Sequence, residues 1–287
     1  MKVATSIASL RVELADARRS NRSIGFVPTM GALHDGHLSL IQRARAETDV
    51  VIVSIFVNPM QFNEQSDLAN YPRDLAGDSE LVAAERADVL FAPDVAEIYP
   101  PTFKTVVAVH DLSEPLEGVI RGASHFAGVT TVVAKLFNIV QPTVAYLGQK
   151  DAQQAVIVQR MVRDLAFPIR VTICPTVREA DGLAMSSRNV RLEPDARRRA
   201  IALKLGLDVA DEMIAAGERD VRAVVRAATR RMAELDVEPE YFDVVSADDL
   251  TPLRSIENRV LIAVAARVGG VRLIDNMLIQ APGGASE

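Results

Sequence analysis

A chain of 287 residues with 32 Lys and Arg against 38 Asp and Glu carries a net charge of −6, and 49% of it is apolar. That length suggests two domains able to bury a core unaided, while a single cysteine, Cys174, excludes an intramolecular disulfide and a multi-cysteine zinc site. Mild acidity, no tryptophan and 5% aromatics argue against a nucleic-acid surface. The apolar runs fall short of the ~20 residues that span a bilayer, and Met1–Ser20 lacks the apolar stretch of a secretory leader. The expectation is a cytoplasmic protein with neither nucleic acid nor membrane as partner.

In chain order, Ser6–Ser20 reads as a helix with Ile7, Leu10 and Leu14 on one face and Ser6 as N-cap. Ile24–Pro28 reads as a strand, Thr29–His34 as a loop around Gly31, and Gly36–Glu47 as a helix with Leu38, Ile41 and Ala44 inward. Val50–Val57 is β-branched and nearly all apolar, as in a strand buried on both faces. The alternation continues through helix Arg73–Ala87, strand Asp88–Ala92, helix Phe126–Ile139, strand Thr143–Leu147, helix Asp151–Leu165 and strand Ile169–Cys174. It predicts an α/β fold, a doubly wound parallel sheet over residues 1–176, with ligands outside the carboxyl ends of its strands. From Val177 the pattern changes to helices Pro194–Gly217 and Asp220–Leu235 and strands Tyr241–Val245, Val260–Val268 and Arg272–Ile279. This predicts a smaller α+β domain over 177–287, with Gly283–Glu287 as a frayed tail. Arg197-Arg198-Arg199 reads as a solvated helix face.

Four clusters carry chemistry. In Pro28–His37, His34 and His37 are three apart and share a face if a helix begins there. A helix N-terminus favours an anion, and imidazoles donate to phosphate oxygens while Gly31 and Gly36 allow close approach. The same spacing suits two ordinary loop histidines, and zinc would need a third ligand such as His110 or His125. Asn58 and Gln61, following the Val50–Val57 strand, offer uncharged donors and acceptors for a substrate's hydroxyls or carbonyl, or cap their own loop. Lys150 can pair with phosphate, while Asp151 can cap a helix or hold a metal or ribose; Gln154 lies one turn further on. Met185-Ser186-Ser187-Arg188-Asn189 suits a triphosphate tail, or is a polar linker.

The blocks PTMGALHDGH, FVNPMQF, YPRDL, HFAGV followed by KLFNIVQP, GQKD with Gln153-Gln154, and READGLAMSSRN lie in order across roughly residues 25–190. Together they resemble the pantothenate synthetase (pantoate–β-alanine ligase) family. The resemblance implies a Rossmann-like fold of the HxGH nucleotidylyltransferase type with a smaller C-terminal lid domain. It implies a homodimer through the larger domain and a two-step reaction. (R)-Pantoate and ATP, with Mg²⁺, give pantoyl adenylate and pyrophosphate; β-alanine then gives pantothenate and AMP. His37 corresponds to the proton donor, with His34, Lys150 and Arg188 as further catalytic groups. Met30, Gly31, Ala32, Leu33, His34, Asp35, Gly36 and His37 correspond to ATP-binding positions. So do Gly148, Gln149, Lys150, Asp151, Val177, Met185, Ser186, Ser187 and Arg188. Gln61 and Gln154 correspond to pantoate contacts, and Gln61 also to a β-alanine contact.

Two features depart from the family pattern. Gln149 stands where Glu is usual, and Leu116–Phe126 spaces Arg121 and His125 four apart without the family's proline, where three is usual. Neither residue carries over, and a mobile loop is expected there. Two other readings share parts of the pattern. A nucleotidylyltransferase has the HxGH cradle without an amide pocket or amine acceptor, and a non-catalytic nucleotide sensor could lose His37 or Lys150, which this chain keeps.

Overall fold

The computed structural model describes residues 1–63 and 65–281, without the side chains of Ser66 and Asp67. Gly283–Glu287 lies outside the described residues. Parallel pairing organises the first part of the chain. Strands β1 (Lys2–Ala4), β2 (Ile24–Thr29), β3 (Val50–Ile55), β4 (Val89–Phe91), β5 (Val144–Gly148) and β6 (Arg170–Cys174) form one sheet in the order β1-β4-β3-β2-β5-β6. Every pairing in it is parallel. Parallel neighbours need crossovers, and the helices between them are α1 (Ile7–Arg19), α2 (Asp35–Glu47), α3 (Gln65–Ala69), α4 (Leu75–Ala84), α5 (Val95–Ile98), α6 (Glu117–Arg121), α7 (Ala123–Val140) and α8 (Ala152–Asp164).

Apolar clusters on both faces explain the continuous hydrophobic runs of β2 and β3. One joins Leu10 and Leu14 of α1, Val133 and Phe137 of α7 and Val158 of α8 to Phe26, Ile52 and Phe91. The other joins Ile41 and Ala44 of α2 and Val82 of α4 to Val27, Val51, Val53 and Tyr146. By length and composition α7 could cross a membrane, but 67% of it is buried within the protein, as befits a core helix.

The strand order reverses between β2 and β5. There β2 pairs with β5 only at Gly25 and Phe26, although it pairs with β3 from Ile24 to Thr29. The sequence supplies the cause. The Ser23 and Thr29 carbonyls accept from Val50 and Phe56, whereas the Ile24 carbonyl accepts from Thr143. Alternation therefore turns Pro28 toward β5, and proline has no N–H to give. The two strands part at their carboxyl ends, where this architecture opens a ligand crevice.

Contacts divide the chain into Met1–Gln149 with Gln154–Pro175, and Lys150–Gln153 with Thr176–Glu287. The division expected at 176/177 put Lys150–Gln153 with the first group. In the second unit, α9 (Pro194–Arg199), α10 (Ala202–Ala215) and α11 (Val221–Ala233) pack on an antiparallel sheet of β7 (Pro239–Ser246), β8 (Arg259–Val268) and β9 (Val271–Gln280). Leu203, Leu207, Val224 and Met232 of the helices join Val244, Ile262 and Val264 of the sheet in one core. The β8–β9 hairpin turns on Gly269 and Gly270 at φ 55° and 78°, the left-handed pair that a two-residue turn needs.

Strand β1 has no counterpart in the sequence reading, three residues being too few to show a pattern. Two expectations change. The single helix expected over Pro194–Gly217 is two, because at Ala200 the chain tightens to an i+3 bond from the Leu203 N–H. The mobile loop expected around Arg121–His125 is instead α6 and the first turn of α7, joined at Gly122 with φ 76°.

Candidate active site

The turn after β2 is built from backbone donors. Thr29 Oγ1 donates to the Ser54 carbonyl at 2.7 Å and accepts from the Gly31 N–H at 3.2 Å. Gly31 and Ala32 then both take left-handed backbone, φ 82° and 51°. For Ala32 that costs on the order of 1 kcal/mol. Asp78 of α4, 5% exposed, offsets it by accepting the Ala32 and Leu33 N–H groups on its two carboxylate oxygens, each at 2.8 Å. A Cβ on Gly31 would lie 2.9 Å from Asp78 Oδ2, so the close approach also requires glycine.

The chain emerges into α2 with His34 as N-cap. His34 Nδ1 accepts from the Gly36 N–H at 3.2 Å, and His37 Nδ1 accepts from the His34 N–H at 3.4 Å. Both Nδ1 atoms are acceptors, so a neutral ring carries its proton on Nε2. The ring centroids are 4.1 Å apart. Two Nε2–H donors thus share the positive end of a helix, the arrangement that receives a phosphate oxygen.

The second cluster lies in a 3₁₀ turn, Pro59–Gln61, behind the end of β3. Asn58 is 1% exposed and its amide is fully used. Its Nδ2 donates to Gln61 Oε1 and the Gly128 carbonyl, each at 3.0 Å, and its Oδ1 accepts from Tyr99 Oη at 2.9 Å and the Met60 N–H at 3.3 Å. Each donor and acceptor of the Asn58 amide thus has a protein partner in this structure. Gln61 is the partly exposed member, and its Nε2 donates to Met30 Sδ at 2.8 Å. Gly128 seats α7 against this turn, since a Cβ there would sit 2.2 Å from the Met60 carbonyl oxygen. The altered Arg121–His125 segment is tied to the same turn. Asn63 Nδ2 donates to the Arg121 carbonyl, His125 Nδ1 lies 2.7 Å from the Gln61 carbonyl, and Arg121 pairs with Glu117 at 2.8 Å.

In the second unit, Asn276 of β9 donates to the Lys150 carbonyl at 2.8 Å, and Lys150 Nζ lies 3.8 Å from Asp151 Oδ1. The hairpin Val177–Asn189 is held by charge. Arg178 forms a two-pronged pair with Asp275, at 2.6 and 3.0 Å. Arg197 reaches Glu179 and Asp181, each at 2.6 Å, and Asn189 donates to Glu179 at 2.7 Å. The Arg197 hydrogen bond holds the Asp181 carboxyl below its ordinary range. Within this frame Met185 donates its N–H to the Val177 carbonyl at 3.0 Å, and Ser186 Oγ accepts from the Arg188 N–H at 3.2 Å. Gly148, Gln149 and Gln154 belong to the first unit, on the end of β5 and the first turn of α8. No group of three His, Cys, Asp or Glu arranged to hold a metal occurs among the described residues.

Sequence reasoning missed Asp78, Tyr99, Asp275 and Asn276. The last two left a signal, two adjacent polar residues breaking the apolar run of β9, and both are buried. Asp78 and Tyr99 left none, because each acts across more than 40 residues of chain, on Ala32 and on Asn58.

A parallel α/β sheet with an HxGH turn at the end of its central strand defines a nucleotide-handling α/β protein. Residues 2–278 match the family described as Pantoate-beta-alanine ligase. A pantothenate synthetase from Moorella thermoacetica is 52% identical over 98% of this chain and 99% of its own, and one from Roseiflexus sp. is 51% identical over 98% and 100%. The crystal structure of pantothenate synthetase from Thermus thermophilus superposes with a TM-score of 0.91 at 44% identity, over 96% of this chain and 99% of its own. The pantoate-beta-alanine ligase of Francisella tularensis, complexed with beta-gamma ATP and beta-alanine, gives 0.77 at 36% identity, over 97% of each chain. This chain belongs to the pantoate–β-alanine ligase family and is an enzyme of the ligase class.

Proposed function

We propose that the chain joins (R)-pantoate to β-alanine through pantoyl adenylate, with ATP as the activating substrate. In the first step a pantoate carboxylate oxygen attacks the α-phosphorus of ATP and pyrophosphate leaves. In the second the β-alanine amine attacks the acyl carbon, AMP leaves with the C–O bond electrons, and the amine loses a proton to give pantothenate. Charge grows on phosphate oxygens in the first step, and donors aimed at that charge supply the main acceleration.

His37 gives its Nε2–H to that charge, with His34 beside it. Met30, Gly31, Ala32, Leu33, Asp35 and Gly36 form the turn that presents them. Lys150 and Arg188 are the cations assigned to phosphate, with Gly148, Gln149, Asp151, Val177, Met185, Ser186 and Ser187 as nucleotide contacts. Gln61 and Gln154 are assigned to pantoate, and Gln61 also to β-alanine. ATP enters as its Mg²⁺ complex, the metal carried mainly on phosphate oxygens as such ions usually are. The Francisella relative's complex supports the choice of ATP and β-alanine. The reaction belongs in the cytoplasm, where ATP is available, and a homodimer through the larger unit is the proposed assembly by family resemblance.

The observation that carries this reading is the His34–His37 pair at the N-terminus of α2, its Nδ1 atoms turned to the backbone. AMP release from ATP and pantoate, with and without β-alanine, tests it. Sustained release is expected only with the amine. Sustained release without any amine, or none in its presence, would overturn the reading.

A further inference from the structure

The polarity of the Gln61 amide is set by groups that cannot be reversed. A backbone N–H only donates and a backbone carbonyl only accepts. Asn58 lies between one of each, with the Met60 N–H on its Oδ1 and the Gly128 carbonyl on its Nδ2. Turning the Asn58 amide over would set donor against donor and acceptor against acceptor. The second hydrogen on Asn58 Nδ2 then faces Gln61 and can meet only an oxygen, Oε1, at 3.0 Å. Gln61 is left presenting Nε2, whose partner here is Met30 Sδ, a weak acceptor that an oxygen displaces at little cost. Tyr99 completes the arrangement by donating to Asn58 Oδ1 at 2.9 Å. Burial pushes the ionisation of its phenol far upward, so it stays a donor at working pH.

We infer that Tyr99 and Asn58 are positioning residues that hold Gln61 as a hydrogen-bond donor, so that its subsite selects a carboxylate, hydroxyl or carbonyl oxygen and rejects an amide or amine nitrogen. The inference rests on the reading that Gln61 touches pantoate, and it deepens that reading by giving the contact a direction. Discrimination comes from the backbone of Met60 and Gly128, two residues that need not touch the ligand.

Initial rates of the full chain, with pantoate and ATP varied separately, test it on three variants. Tyr99→Phe removes one neutral hydrogen bond from the relay. It is expected to raise KM for pantoate about three- to tenfold and leave KM for ATP within about twofold. Asn58→Asp cannot donate to Gln61 Oε1, so Gln61 turns its Nε2 inward and offers an oxygen to an acid. KM for pantoate is expected to rise at least about a hundredfold, again without a matching change for ATP. Equal rises for both substrates would mean the two residues only support the fold, and would overturn the inference. If Gln61→Ala raises KM for pantoate while Tyr99→Phe and Asn58→Asp do not, the contact stands and the relay is refuted. If Gln61→Ala leaves pantoate unaffected, the underlying contact fails and the inference with it. Should Asn58→Asp not fold, the split between substrates in Tyr99→Phe decides alone.

Discussion

Two of the loops that carry residues assigned to phosphate are held by different forces. Met30–His37 is fixed by one buried carboxylate and two neutral rings, all bonded to backbone N–H groups. Val177–Asn189 is fixed by ion pairs, with Arg178 on Asp275 and Arg197 on Glu179 and Asp181. The difference decides what each loop offers a ligand. In the first, the carboxylate and both imidazole Nδ1 atoms are turned onto backbone N–H groups of the chain. In the second, acids neutralise Arg178 and Arg197, and among the described residues Arg188 forms no ion pair. A donor aimed by the backbone is rigid and directional; a guanidinium on a braced hairpin brings full charge.

The sharpest way to break the comparison is His37→Ala. Loss of one aimed donor is expected to slow adenylate formation in single turnovers by ~10²–10³, with little change in the melting temperature. A folded variant with near-full activity would remove the first loop from the chemistry. The joint between α6 and α7 is a further backbone-set position. Gly122 follows Arg121 at φ 76°, which a proline ring locked near −65° cannot adopt. Gly122→Pro is therefore expected to destabilise the fold by roughly 3 kcal/mol in denaturant titrations rather than to order a loop. An unchanged midpoint would show that the joint rearranges freely.

Asp78→Asn turns one acceptor of the clamp into a donor facing an N–H. Losing one charge-assisted hydrogen bond predicts a fall in kcat/KM of about 10- to 100-fold. The decline should be steeper for ATP-dependent steps than in Arg197→Ala, which disturbs only the outer brace of the second loop. The smallest effect concerns acid. The Arg197 hydrogen bond keeps the folded Asp181 carboxyl below its ordinary 3.8, so the stability it adds is present above that value and lost as pH falls through the lower, folded one. The pair is partly exposed, so the contribution is at most about 1 kcal/mol. Asp181→Asn should lower the melting temperature slightly at neutral pH, with the difference shrinking below about 3.8 and vanishing once the pH has fallen through the lower, folded value. A difference that persisted there would assign the effect to shape rather than charge.

The long periodic elements were legible because burial on one or two faces writes itself into local sequence. Ser6 was legible as the cap of α1, and the start of α2 lies one residue before the expected Gly36. Residues that depend on distant partners were not. Nothing near Asp78 points to Ala32, and nothing near Asn276 points to Lys150, 126 residues away. Asn58 was legible as a polar residue after a buried strand, but its partners were not, because the four neighbours that saturate its amide come from the 3₁₀ turn Pro59–Gln61, α7 and the segment after α5. The Arg121–His125 segment misled because a missing proline looks like freedom, while a glycine at positive φ can equally be a fixed joint between helices.

The most direct test of the adenylate route is exchange of labelled pyrophosphate into ATP. Exchange that requires pantoate, proceeds without β-alanine and falls by ~10²–10³ in His37→Ala is the expected result. Exchange that proceeds without pantoate, or that appears only when β-alanine is present, would contradict an acyl adenylate formed before the amine attacks.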